Sequence, residues 1–149
     1  MKPVLAFVLA SFLSVFALPP AIQAAEPDLS ALVLPGKEAD LSSFLWAKRP
    51  IVVFADSEQD PRFQEQMTRL LSDAGALLER DVIVLTDTNP EAASDLRKKL
   101  RPRGFMLVLL GKDGGVKLRK PHPWTVRELS RTIDKFPDRL REVEERREN

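Results

Sequence analysis

Apolar residues follow two rhythms along this chain. Residues 105–110 read FMLVLL, an unbroken apolar run bounded by turn-forming residues. The run is too short for a helix of its own, which predicts a strand buried on both faces. Gly111, Lys112, Asp113, Gly114 and Gly115 follow. They include residues that accept positive φ cheaply, so the chain is expected to reverse there. Val116, Lys117, Leu118 and Arg119 then alternate apolar and basic, as a half-solvated edge strand should. Two β-branched runs, residues 51–54 and 82–85, predict two more buried strands.

Helical spacing fills the intervals. Phe63, Met67, Leu70, Leu71, Ala74, Leu77 and Leu78 give residues 61–79 one apolar face, with Asp60 as cap and Pro61 at the first position. Asn89 and Pro90 repeat that device ahead of a helix over 90–100, whose inner face is Ala92, Ala93, Leu96 and Leu100. Thr125 and Glu128 have the spacing of a capping box, and Val126, Leu129, Ile133 and Phe136 line the helix after it. Pro137 interrupts it. Residues 138–149 carry alternating charge and almost nothing apolar, which predicts a frayed or solvent-exposed helix. Earlier in the chain, Asp40 heads a short helix that closes at Arg49 and Pro50.

The order is strand, helix, strand, helix, strand, strand, helix. Both crossovers are long enough to make parallel pairs, and the hairpin adds an antiparallel edge. The expected fold is α/β and thioredoxin-like, a central mixed sheet of about four strands (βαβαββα) flanked by helices.

The first residues change the picture of where the protein works. Lys2, an apolar run over residues 4–18, Pro19 and Pro20, and then small residues to Ala25 describe a secretory signal peptide over 1–24. An uncleaved anchor is disfavoured, because the run is short for a span and two prolines break it. The expected layout is this leader, a polar lead-in over 25–40 with Leu32, Val33 and Leu34 as anchors, a domain over 41–137 and a charged tail over 138–149. No membrane span remains after cleavage, and the location is periplasmic or extracellular. Lys and Arg total 23 against 22 for Asp and Glu, so with Lys2 removed the chain is balanced. That balance predicts neither a nucleic-acid nor a membrane partner.

Trp46 with Arg49 and Pro50, the run from Ile51 to Ala55, Glu79-Arg80-Asp81-Val82, and Gly111 to Arg119 together are specific. These stretches resemble the exported family catalogued as domain of unknown function 4174, over about residues 41–141. The resemblance implies a fold shared with thioredoxins and peroxiredoxins. It also implies occurrence as a single bacterial domain and within animal extracellular-matrix proteins. It implies no activity.

Candidate chemistry is sparse. The chain has no cysteine, which removes thiol redox and peroxidase chemistry, disulfides and thiolate metal sites. Where a thioredoxin places its thiolate, this chain has Ala55, Asp56, Ser57, Glu58, Gln59, Asp60 and Pro61. Asp56, Glu58 and Asp60 are candidate oxygen ligands for a hard cation, without the glycine and distal glutamate of a calcium loop. They support an alternative reading as a metal-dependent enzyme or cation-binding protein. The competing reading is a solvated loop that caps a helix. Ser57 has no triad, because His122 is the single histidine and belongs to a proline-stiffened loop before Trp124. No catalytic residue and no cofactor is assigned, and an enzyme is not expected. Arg97, Lys98, Arg101, Lys112, Lys117 and Arg119 form a basic stretch whose only acid is Asp113. They are the candidate contact face for an acidic protein or an anionic polymer or surface. The opposing reading is that they solubilise a helix end and guard an edge strand.

Overall fold

A computed structural model describes residues 31–149. The leader expected over 1–24 lies outside the described residues. Strands β1 (Val33–Pro35), β2 (Arg49–Phe54), β3 (Val82–Asp87), β4 (Met106–Leu110) and β5 (Val116–Lys120) form one sheet in the order β1-β3-β2-β4-β5. β1, β3 and β2 are mutually parallel, while β4 runs antiparallel to β2 and β5 antiparallel to β4. Helices α1 (Pro61–Ser72), α2 (Ala74–Leu78), α3 (Asp95–Leu100), α4 (Val126–Ile133) and α5 (Pro137–Glu148) surround it.

β2 is central and all six of its residues are buried. Strand side chains alternate between faces, so β2 feeds two cores. Ile51 and Val53 join Leu70, Leu77, Val84, Leu107, Leu109, Leu129 and Ile133 on the side of α1, α2 and α4. Val52 and Phe54 join Leu85, Leu96, Leu100, Val108 and Leu110 on the side of α3. Each such side chain contributes roughly 1.5–3 kcal/mol by burial, which is how a chain without disulfides holds this sheet.

The fold is thioredoxin-like, and five of its local features differ from expectation. First, Val33, Leu34 and Pro35 pair with Val84, Leu85 and Thr86, so the lead-in adds a fifth strand. Three residues are too few to show a period. Second, the long first helix breaks at Asp73, whose non-helical backbone (φ −143°, ψ 51°) separates α1 from α2. Third, the second helix is a 3₁₀ turn (Pro90–Ala92), then Ala93 at φ 45°, then α3. Buried Ser94 accepts from Arg97 N at 3.2 Å and starts the helix afresh. Fourth, β4 is antiparallel to its neighbour rather than parallel. Phe54 lies opposite both Asp87, where β3 ends, and Met106, where β4 begins, so the chain re-enters the sheet at the end where it left it. Fifth, Pro137 opens α5 rather than interrupting α4. Of the two expected states of residues 138–149, frayed or solvent-exposed helix, the structure has the exposed helix, with Arg139 as its one buried residue. Pro137 has no need of the amide hydrogen that a first helical residue leaves unpaired anyway.

Candidate functional site

The loop at the carboxyl end of β2 is where thioredoxin chemistry would sit. Ala55 is buried, while Asp56, Ser57, Glu58 and Gln59 are exposed. Asp60 turns away from them. It accepts from Arg62 N at 2.9 Å and pairs with Arg62 Nη2 at 2.9 Å. Hydrogen bonding from Arg62 holds its carboxyl below the usual carboxylate range, although burial opposes this. Among the described residues no three metal-ligating side chains converge. Asp56, Glu58 and Asp60 therefore do not form a preformed cation site. His122 is exposed in the loop ahead of α4. All peptide bonds among the described residues are trans, Pro102 included.

Arg97 is not on the surface. Its side chain is 10% exposed and pairs with Asp87 Oδ1 at 2.8 Å. It donates to Ala55 O at 2.7 Å and to Asp87 O at 3.0 Å, and it lies over the Phe54 ring at 5.4 Å. Ser94 donates its hydroxyl to the other oxygen of Asp87. These contacts close the carboxyl ends of β2 and β3 into one polar lock. Each buried charge is paired, as burial demands.

The other end of the sheet holds a second network that the sequence did not announce. Arg49 is fully buried at the start of β2. It pairs with Asp138 at 2.5 Å and Glu142 at 2.9 Å and donates to Arg80 O at 2.8 Å. Lys112 joins it through Glu142 at 2.6 Å and Asp81 at 2.8 Å. Burial would raise the Glu142 pKa, but hydrogen bonds from Arg49 and Lys112 outweigh it and bring the value down to about 2. Burial would lower the Lys112 pKa, and hydrogen bonds to Asp81 and Glu142 raise it instead. The missed signal was an i,i+4 acid pair, Asp138 and Glu142, inside a run that otherwise reads as surface.

The six basic candidates are therefore divided. Arg97 lies beside the last residue of β3 and Lys112 beside the residue preceding its first, about 20 Å apart. Both are occupied internally. Lys98, Arg101, Lys117 and Arg119 remain exposed. Arg119 donates to Leu100 O, which brings β5 against the end of α3. Arg101 caps that end at φ 50°. Lys98 pairs with Asp95 at 3.3 Å and Lys117 with Asp113 at 3.0 Å, both in the open. Lys99, Arg101 and Arg103 make no ion pair among the described residues and are exposed.

Beside this basic edge lies a cavity of about 370 Å³, with Leu41, Leu45 and Leu96 among its apolar lining residues and Lys37, Asp40 and Lys99 among its polar ones. Leu45 and the next residue, Trp46, are exposed apolar side chains, and Trp46 is 71% exposed at φ 61°. Trp46 N donates to Lys112 O at 2.7 Å, which fixes this unusual backbone against the hairpin.

A sheet of this order with helices on both faces defines a thioredoxin-like protein. Solved structures agree at the level of fold. Desulfothioredoxin from Desulfovibrio vulgaris Hildenborough is 21% identical, with a TM-score of 0.52 over 71% of this chain and 98% of its own. An uncharacterised thioredoxin-like protein from Clostridium perfringens is 12% identical, with a TM-score of 0.54 over 80% and 92%. Chloroplastic thioredoxin z is 21% identical, with a TM-score of 0.52 over 70% and 92%. The chain belongs to the family described as domain of unknown function DUF4174, whose model matches residues 40–142. No curated protein matches it.

Proposed function

We propose that this protein is an exported thioredoxin-like module without catalysis, which binds an acidic protein or an anionic polymer through the basic surface where α3 meets β5. The carrying observation is the gathering of exposed Lys98, Lys99, Arg101, Arg103 and Arg119 around the end of α3, with Arg119 bonded to Leu100 O. These cations outnumber the acids beside them, Asp95 paired to Lys98 and Asp40 near Lys99, and such a surplus raises the local concentration of an oppositely charged partner. The absence of cysteine supports binding over redox chemistry, because the fold's usual reaction requires a thiolate. The leader pattern over residues 1–24 supports export.

Elution from a sulfated resin tests the surface. Lys98→Glu combined with Arg101→Glu is expected to elute at markedly lower salt than the wild type, with the circular dichroism spectrum unchanged. Identical elution of two folded proteins overturns the assignment. Amino-terminal sequencing of protein from the exported fraction tests the rest of the reading, with a start near residue 25 expected.

A further inference from the structure

Given a basic surface that binds an acidic partner, the outer edge of β5 narrows what that partner is. β5 is the last strand of the sheet. Among the described residues no other segment hydrogen-bonds to the backbone of Val116–Lys120 on its outer side. Such an edge is a row of unpaired amides and carbonyls. The opposite edge, β1, is three residues long and ends in Pro35, so it is a poor template. β5 has five residues and no proline.

Its side chains favour one kind of addition. Lys117, Arg119 and Lys120 make the edge cationic, and the acid within reach, Asp113, is already paired to Lys117. A second copy would bring like charges together, which discourages self-pairing. The same charges attract an acidic strand, so one device both excludes and selects. The two faces of the edge also differ. Arg119 lies opposite Val108 on the α3 side, while Leu118 lies opposite Leu109 and packs against the other core. A guest strand in register meets Arg119 on one face and, on the other, Leu118 beside Lys120, whose ammonium lies over the Trp124 ring at 4.6 Å.

We propose that β5 accepts an extended acidic peptide as a sixth strand, a proposal that rests on the binding role assigned to the basic surface. Main-chain hydrogen bonds to the edge supply affinity, and alternating acidic and apolar side chains supply selectivity against Arg119 and Leu118. Arg101, the cap of α3 next to the Leu100 carbonyl that Arg119 holds, extends the acidic preference beyond the strand.

The test titrates ¹⁵N-labelled protein with a short capped peptide that alternates glutamate with valine. A second arm uses the same peptide with alternate backbone nitrogens methylated, which keeps its charge and removes its donors. Further arms use the lysine-for-glutamate peptide and dextran sulfate. Saturable shifts of the Val116–Lys120 amides are expected with the parent peptide. Methylation should weaken binding at least tenfold, as should Arg119→Glu, and the lysine peptide should not bind. Equal affinity of the parent and methylated peptides overturns strand addition, and so do shifts centred on α3 alone. Binding of dextran sulfate without binding of the peptide removes the inference and leaves the basic surface standing. Binding of neither removes both.

Discussion

Trp46 sits in the left-handed region at φ 61° with 71% of its surface exposed. For a bulky side chain that backbone is a true outlier, held only because its surroundings determine it. Here the determinant is the hydrogen bond from Trp46 N to Lys112 O. Glycine keeps that bond and loses the steric penalty, while little buried surface is given up. Trp46→Gly is therefore expected to be as stable as wild type or up to about 1 kcal/mol more stable in urea unfolding. A loss well beyond that would mean the indole packs more tightly than its exposure indicates. Glu142 works in the opposite direction. Its pKa is depressed from 4.5 to about 2 in the folded protein. A depressed carboxylate adds stability that is present above its unfolded value and lost as pH falls through the folded one. The window is therefore about pH 4.5 down to 2, and the shift corresponds to about 3 kcal/mol at most. Glu142→Gln should be less stable than wild type at pH 7, and the gap should close near pH 2.

At the scale of elements, α5 shows what composition leaves out. The tail was expected to be solvent-exposed because it is nearly free of apolar residues, and most of it is exposed. What composition could not show is that Arg49, 49 positions into the chain, is buried without any partner in sequence beside it. Asp138 and Glu142 come to it from α5. Stopping the chain after Pro137 would leave that guanidinium with Arg80 O alone. Removing one partner of a buried pair costs roughly 3–5 kcal/mol, a large part of a domain's 5–15 kcal/mol. The truncated protein is expected to melt far below the full chain in circular dichroism, and Arg49→Met in the truncated background should restore part of the loss. The strands β2, β3 and β4 and the capping box of Thr125 with Glu128 were legible, because each is written in neighbouring residues. The restart of α3 at Ser94, the orientation of β4 and the division of the basic residues were not. Each depends on what a side chain meets across the fold, as when Arg97 meets Asp87 and Ala55.

Over the whole molecule, the sheet order predicts a gradient of stability from centre to edge. β2 is hydrogen-bonded on both sides and buried throughout, and β3 and β4 each have two neighbours. Their amides cannot reach water without separating the two cores that β2 divides. β1 and β5 each have one neighbour, so one side of each can open alone. Local openings lie far below the global free energy, whereas central strands approach it. In native-state hydrogen exchange, the amides of Val52, Val53, Val84 and Val108 should be the slowest and should share one free energy of opening. Arg49→Met should lower that shared value for all of them together, because the Arg49 pairs with Asp138 and Glu142 tie α5 to the central strand β2. The outer amides of β5 should exchange early and should hardly respond to the substitution. A fall confined to β2 would instead show that α5 detaches as a unit of its own, with the sheet still closed.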